Sequence, residues 1–496
     1  MYKRIIIWIA IVSVLVGITA CSEDYLDTAS SSSIPEFTVV QSIEELERVL
    51  DGIHGFNFGW WQTQGYVGEH SWNIVRDMMG EDLINSATGN GWYISDARWQ
   101  SHRNPNSNLA SYAFYFYHRI VLNCNQVLGN VEGFAADPVV QSAYTRIKGE
   151  ALALRGWANF QLVQLYAKRY EAGVANSTDG IVLRDGTLDI EPKARATVEE
   201  SYAAINSDLS KAVELLTKAA PRTKHRMRLG TAYGIRARVA LVQQDWANAI
   251  AYADSAIKKS GAKLQKGAEL LDGFNDYSAA EWMWGYNIAD DQGLYYGAFH
   301  AYMSWNFSSS NIRQNPKCIN RELYLTISPT DIRKQWWNDS LRTSKTKPAT
   351  NFATKPYENY KFEASPAHND HILLMRLAEM YLIKAEAQAH SGSDADAAQT
   401  LFDLISTRDP NYTLSTNTGQ DLLDEVLRHR RIELWGEGFR FTDLKRLNLP
   451  LDRNAASNTV STVSMVMDVP AGDVRWEWVI PKSETDANPL CKQNPL

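Results

Sequence analysis

Few of the residues able to do acid–base, nucleophilic or metal chemistry in this chain are spaced for it. His368 and His371 lie three apart, which on a helix would set both imidazoles on one face. No HExxH pattern or fixed carboxylate accompanies them, so no metal role is assigned. Asp290-Asp291 and Glu81-Asp82 are acidic pairs of the kind a glycosidase uses, but adjacency does not set two carboxylates across a cleft, and both are read as solvated loop acids. No GxSxG, P-loop or Rossmann glycine pattern occurs. The densest charged run, Arg428 to Glu437, is read as structural, with Arg431, Glu433 and Glu437 bridging the last helix to its neighbours. No catalytic residue is assigned.

The 16 tryptophans point to binding instead. Trp157, Trp246 and Trp435 fall within helical stripes and are assigned to the core. A different setting surrounds Asn90-Gly91-Trp92-Tyr93 and Trp99, which follow Gly89 in a polar stretch, and Tyr295-Tyr296-Gly297 and Trp305-Asn306, which share that context. A sugar presents an apolar C–H face and a hydroxyl rim, so a flat ring supplies contact area while polar neighbours take the hydroxyls. The candidate ligand-binding residues are therefore Trp92, Tyr93, Trp99, Tyr295, Tyr296 and Trp305, with Asn90, Asp96, Arg98, Asp291 and Asn306 as polar partners. Trp282, Trp284 and Tyr286 alternate and would share one face of a strand; packing of that face on helices is favoured over a sugar platform.

Such residues need a frame, and 496 residues with 45% hydrophobic content can bury one. The formal charge of -7 leaves no basic excess for a phosphate backbone, which disfavours nucleic-acid binding. Four cysteines without CxxC or Cys/His spacing exclude a disulfide scaffold and make structural zinc improbable. Ser42-Ile43-Glu44-Glu45 is a capping-box pattern opening a helix with Leu46, Val49, Leu50 and Ile53 in helical spacing. From Ala143 to Tyr166 the residues Ile147, Ala151, Leu154, Ala158, Leu162 and Leu165 recur three or four apart on one stripe. Further helices are predicted over Thr197–Ala219, Leu229–Gln243, Trp246–Lys258, His371–Ala389, Ala395–Ser406 and Leu422–Leu434. The pair meeting at Gln244-Asp245 reads as a hairpin of the tetratricopeptide type, closed through Ala237, Ala249 and Ala253.

The expected fold is mainly α: a tetratricopeptide-like helical-repeat frame, within about 141–259 and 371–435, carrying long irregular loop and short-strand insertions. Those insertions, at about 54–110 and 260–370, are rich in Gly, Asn, Tyr and Trp and are assigned to the ligand platform.

At the N-terminus, Lys3 and Arg4 precede an uncharged run from Ile5 to Gly17, shorter than the ~20 residues of a spanning helix. It ends Ile18-Thr19-Ala20-Cys21, which resembles the lipobox where bacterial lipoprotein signals are cut and the cysteine is lipidated. Residues 1–20 are thus read as a signal peptide, Cys21 as the lipidated residue, 21–40 as a Ser-rich tether and 41–496 as a single body. Ser22-Glu23-Asp24 resembles an acidic tag that sends such lipoproteins to the outer face of the outer membrane.

Several ordered blocks then resemble the SusD/RagB family of outer-membrane lipoproteins. They are Gly149 to Phe160 with Leu165-Tyr166, Thr231 to Val239 with Asp245-Trp246, and Arg376 to Ala387. They continue with Arg430 to Leu434, Gly436-Glu437-Gly438 and Asp443 to Arg446, and close with Ile480-Pro481, Asn488-Pro489 and Gln493-Asn494-Pro495. His429 departs from the family, which has Glu before the Arg pair, so no ion pair is carried over there. The resemblance implies a SusD-like, non-enzymatic protein that binds oligosaccharide, or peptide in some members, and acts as the lid of a SusC-like TonB-dependent transporter. No cofactor is expected; a structural Ca2+ in an acidic loop stays open. A peptide-binding member of the family and a secreted glycosidase are the alternatives, separated by glycan binding with product analysis.

Overall fold

The computed structural model describes residues 40, 42–187, 189, 191–338, 348–349 and 351–496. The segments read from sequence as a signal peptide, the lipidated Cys21 and the tether up to residue 39 lie outside the described residues. Contacts divide the chain into Met1–Glu45 and one compact unit, Leu46–Leu496.

Local sequence explains the helices that begin it. Helix α1 (Ile43–Phe56) opens as its capping pattern predicts, with the Glu45 amide donating to Ser42 Oγ at 3.3 Å. Helix α2 (Gly68–Met78) was not anticipated, because its buried residues include Glu69, His70, Ser71, Arg76 and Asp77, which hide any apolar period. A short strand β1 (Leu83–Asn85) follows, then the long helices α3 (Asn108–Val131) and α4 (Gln141–Tyr166).

The stripe predicted on α4 understates it, since it packs against both α3 and the next helix and is buried on most sides. Gly149 and Gly156 permit this: a Cβ at either would come within 3.0–3.1 Å of Leu215, Leu216 or Leu209. Those leucines belong to α5 (Val198–Thr217), which opens with a full capping box between Thr197 and Glu200.

The expected hairpin is α6 (Leu229–Val242) and α7 (Trp246–Ser260), which pack on each other, and Ala237, Ala249 and Ala253 are all fully buried. Asp245 caps α7 by accepting from the Asn248 amide, and Gly261 ends it at φ +71°, a conformation that costs a glycine little. Trp246 is a correction: it is half-buried and stacks on His390 at 4.1 Å, outside the core proper.

Strand β2 (Trp282–Tyr286) is buried on both faces, with Trp284 edge-on to Trp157 at 5.2 Å, so the alternating aromatics pack on the helices. Beyond it lie the one-turn helix α8 (Ser310–Gln314), strand β3 (Lys317–Ile319), which pairs antiparallel with β1, and strand β4 (Ile372–Arg376), which pairs antiparallel with β2. The helix expected from His371 therefore starts later, as α9 (Leu377–His390), because the apolar run Ile372–Met375 pairs with β2. Helices α10 (Asp394–Ile405), α11 (Gly419–Glu433) and α12 (Arg440–Arg446) follow, then the strand pair β5 (Leu451–Asp452) and β6 (Asp468–Val469). Ala378, Leu382, Leu401, Leu404 and Val426 form one apolar cluster across α9, α10 and α11.

Threaded through this apolar frame is a buried charge network. Arg333, Arg376, Arg408 and Lys361 face Asp331, Glu281, Glu433 and Glu437. Glu433, fully buried, accepts from Arg333 at 2.8 Å, Arg376 at 2.6 Å and Arg408 at 2.7 Å. Arg431 reaches Asp82 at 3.0 Å, so the bridging role expected of the Arg428–Glu437 run is present. Burial, with Arg333 and Arg428 beside it, pushes His429 well below the usual histidine range. Its neutral ring accepts from Arg333 at 3.1 Å.

Candidate functional site

Three separated segments meet at an open cleft of about 640 Å3, open solvent included: Gln64, then Asn90 and Trp92, then residues between Tyr296 and Arg313. The loop carrying Trp92 is built from left-handed residues, with φ of +52° at Gly89, +89° at Gly91 and +61° at Tyr93. Glycine adopts these freely, whereas Tyr93 does so at a cost on the order of 1 kcal/mol. Tertiary contacts hold it there. Its hydroxyl donates to the Gly65 carbonyl at 2.6 Å, and its ring stands edge-on to Tyr302 at 5.0 Å.

Two adjacent aromatics thereby part company. Tyr93 turns inward and is 6% exposed, while Trp92 remains half-buried on the cleft wall, edge-on to Tyr302 at 5.9 Å. Gly65 abuts the Trp92 ring so closely that a Cβ there would lie 3.0 Å from two ring carbons. Across the cleft, Tyr296 is 46% exposed and Tyr295 44%; they form an edge-on pair at 4.4 Å supported by Phe307. Trp60, 53% exposed, lies against Gly297 beside them.

Amides and hydroxyls form the rest of the lining. Ser309 caps α8 by accepting from the Ile312 amide at 3.2 Å and donates to the Ala301 carbonyl at 3.0 Å. Asn311 is buried beneath the cleft; its Nδ2 donates to Asn90 Oδ1 at 3.2 Å, and its Oδ1 accepts from Lys317 Nζ at 3.0 Å. Gln64 Nε2 donates to the Tyr302 hydroxyl at 3.1 Å. Flat rings beside oriented amides suit a ligand with an apolar face and a hydroxyl rim.

Of the residues proposed from sequence, Asn90, Trp92 and Tyr296 come together here, with Tyr295 alongside. Six others are corrected along with Tyr93. Trp99 is buried, donating from Nε1 to the Met79 carbonyl at 2.8 Å and packing on Trp476. Trp305 is also buried, its Nε1 donating to Glu363 at 3.1 Å. Asp96 lies inside, where burial pushes its carboxyl up to about 6. Arg98 donates to the carbonyls of Val463 and Thr462, and Asn306 clamps Ala364 through both its N–H and C=O. Asp291 is exposed but does not line the cleft.

Trp60, Gln64, Tyr302, Asn311 and Arg313 were missed. Trp60 carried a signal, since Gly59-Trp60-Trp61-Gln62 has the same Gly-flanked polar character as the Trp92 loop. The others carried none, being brought in by the fold.

The remaining chemical candidates are accounted for elsewhere. Glu81 and Asp82 are buried and ion-paired to Arg440 and Arg431, which corrects their reading as solvated acids. His371 accepts the Tyr277 amide at 2.7 Å, while His368 packs on Phe307; neither is on a helix. Among the described residues, no group of three or more His, Cys, Asp or Glu could hold a metal ion. A second cavity of about 600 Å3, open solvent included, is walled by ion pairs such as Arg430–Asp443 and Arg76–Glu69, and it belongs to the frame.

The fold is shared by known proteins. A family model described as the SusD family matches residues 334–496, and one described as "Starch-binding associating with outer membrane" matches residues 24–241. The chain belongs to the SusD/RagB family. It is similar to a SusD-like carbohydrate binding protein from Bacteroides vulgatus, with 25% identity, 91% of this chain and 97% of that one covered, and a TM-score of 0.77. A SusD superfamily protein from Bacteroides thetaiotaomicron shares the fold at 24% identity, covering 92% and 100% of the two chains with a TM-score of 0.78. Over 98 residues the chain is 35% identical to the SusD-like protein P38 of Formosa agariphila, a match spanning 18% of this chain and 20% of that protein. No described helix is long and apolar enough to cross a membrane.

Proposed function

We propose that this protein is a glycan-binding lipoprotein of the outer membrane that captures oligosaccharide in the Trp92 cleft and passes it to a partner SusC-like TonB-dependent transporter, acting as its lid. The observation that carries this reading is the pairing of Trp92 and Tyr296 with oriented amides in one open cleft. Similarity to a protein described as SusD-like and carbohydrate binding supports it. Binding without catalysis is part of the proposal, and Trp92, Tyr296, Tyr295, Trp60 and Asn90 are its ligand contacts.

Trp92→Ala is expected to weaken glycan binding by about 1–3 kcal/mol, a loss of about 5–150-fold, with the melting temperature held. A glycan array followed by titration calorimetry and product analysis tests this. Retained affinity in Trp92→Ala refutes the cleft assignment. Steady release of reducing ends moves the protein to the glycosidase class, and peptide binding without glycan binding moves it to the other branch of its family.

The anchor is a separate proposal, resting on the Ile18-Thr19-Ala20-Cys21 pattern. Multiple acyl chains on one cysteine hold a protein where one chain gives marginal binding. Cys21→Ala is expected to lose surface display, as read by protease shaving of intact cells; undiminished display would refute lipid anchoring at Cys21.

A further inference from the structure

The charge of the cleft is opposite to that of the chain. The chain carries a formal charge of -7, yet Arg313 is the one charged residue among the described residues lining the cleft, and no carboxylate lines it. The half-buried guanidinium lies along its own short helix, with Nη1 donating to Ser308 Oγ at 3.2 Å and Nη2 to Ser310 Oγ at 3.4 Å. Two neutral hydroxyls satisfy part of its five-donor fork and none of its charge. Arg146, Arg155, Arg184 and Arg238, also partly exposed, are by contrast paired with carboxylates, whereas Arg98 meets backbone carbonyls outside the cleft.

A second cation lies behind the first layer. Lys317 is 2% exposed and donates to Asn311 Oδ1 at 3.0 Å and the Asn315 carbonyl at 2.8 Å, with no carboxylate partner among the described residues. Burial pushes its ammonium down to about 7, the direction expected of a cation lacking a counter-charge. Lys317 holds Asn311, and Asn311 holds Asn90, so this buried lysine supports the amides that face the ligand. Both features are costly around a neutral ligand and are relieved by an anionic one.

We propose that the cleft selects an anionic saccharide, one bearing carboxylate or sulfate groups, and that Arg313 receives the anionic group beside the Trp92 ring. A planar fork fits either oxyanion through paired N–H donors, so the structure defines their shared chemistry. This proposal rests on the glycan reading above and specifies its ligand.

The test uses the whole protein in titration calorimetry with two matched pairs of probes: tetragalacturonate against its methyl ester, and a sulfated carrageenan tetrasaccharide against its desulfated form. One anionic probe is expected to bind about ten-fold or more tighter than its neutral counterpart, and that probe identifies the oxyanion. Arg313→Gln should remove the difference, Arg313→Lys should keep part of it, and added salt should weaken only the anionic probe. If the neutral forms bind as well as the charged ones and Arg313→Gln changes nothing while Trp92→Ala weakens both, the anionic proposal falls and the glycan reading stands. If no saccharide binds and a tetraglutamate peptide does, both fall.

Discussion

Glu433→Gln is expected to destabilise the protein by about 3–5 kcal/mol, read as the loss of unfolding free energy in urea. Four cations and four carboxylates interlock around this residue, and Glu433 is shared by Arg333, Arg376 and Arg408. Replacing the whole network by apolar groups would cost little, because the desolvation penalty would vanish with the charges. Removing one carboxylate leaves three buried guanidinium groups short of a counter-charge in a site water does not reach. Loss of less than about 1 kcal/mol would show that the network contributes no more than a surface pair.

The same network sets a pH dependence. Burial raises the Glu433 carboxyl, but Arg408, Arg376 and Arg333 outweigh it and hold it well below the ordinary 4.5. Burial likewise opposes ionisation of Asp443, yet Arg430 and Arg446 hold it down to about 2. A carboxylate depressed in the folded state contributes stability that is fully present above its unfolded value and is lost as pH falls through the folded one. Wild-type stability should therefore decline from roughly pH 5 downward, and the Glu433→Gln variant should decline less steeply. Parallel declines would remove Glu433 from the acid response.

Trp157→Ala is expected to cost about 3–5 kcal/mol while leaving the glycan affinity of the folded protein unchanged. Its indole is 1% exposed, edge-on to Tyr117 at 5.8 Å and to Trp284 at 5.2 Å, so truncation opens a cavity where α3, α4 and β2 meet. Trp92→Ala should do the opposite, since its half-buried ring lines the cleft. Thermal melting beside calorimetry on both variants separates core from platform. Weakened binding in Trp157→Ala at an unchanged melting temperature would overturn both assignments.

The helices were legible where stability is local. The Ser42 cap, the helix opening at Thr197 and the α10 span are written in residues a few positions apart, and capping pattern and helical period report them directly. Helix α2 and strand β4 were not legible. One buries Glu, His, Arg and Asp against partners such as Tyr117 and Gln161, and the other is an apolar run whose pairing with β2 overrides the helical reading. In both cases the deciding partner lies far along the chain.

By itself, the sequence determined the helical-repeat class and the family resemblance, because these rest on local spacing and ordered motifs. It also determined that aromatics in Gly-rich loops were candidates for exposure. Only the tertiary structure decided which of them face solvent. Trp92 and Tyr93 share one sequence context, yet the Gly65 carbonyl and the Tyr302 ring draw Tyr93 inward and leave Trp92 on the wall. Trp99 and Trp305 found acceptors in the Met79 carbonyl and the Glu363 carboxylate, while Asn311 and Arg313 reached the cleft from a segment more than 200 residues beyond Asn90. Exposure is set by which distant groups satisfy a side chain, and that information lies in the folded contacts of the chain.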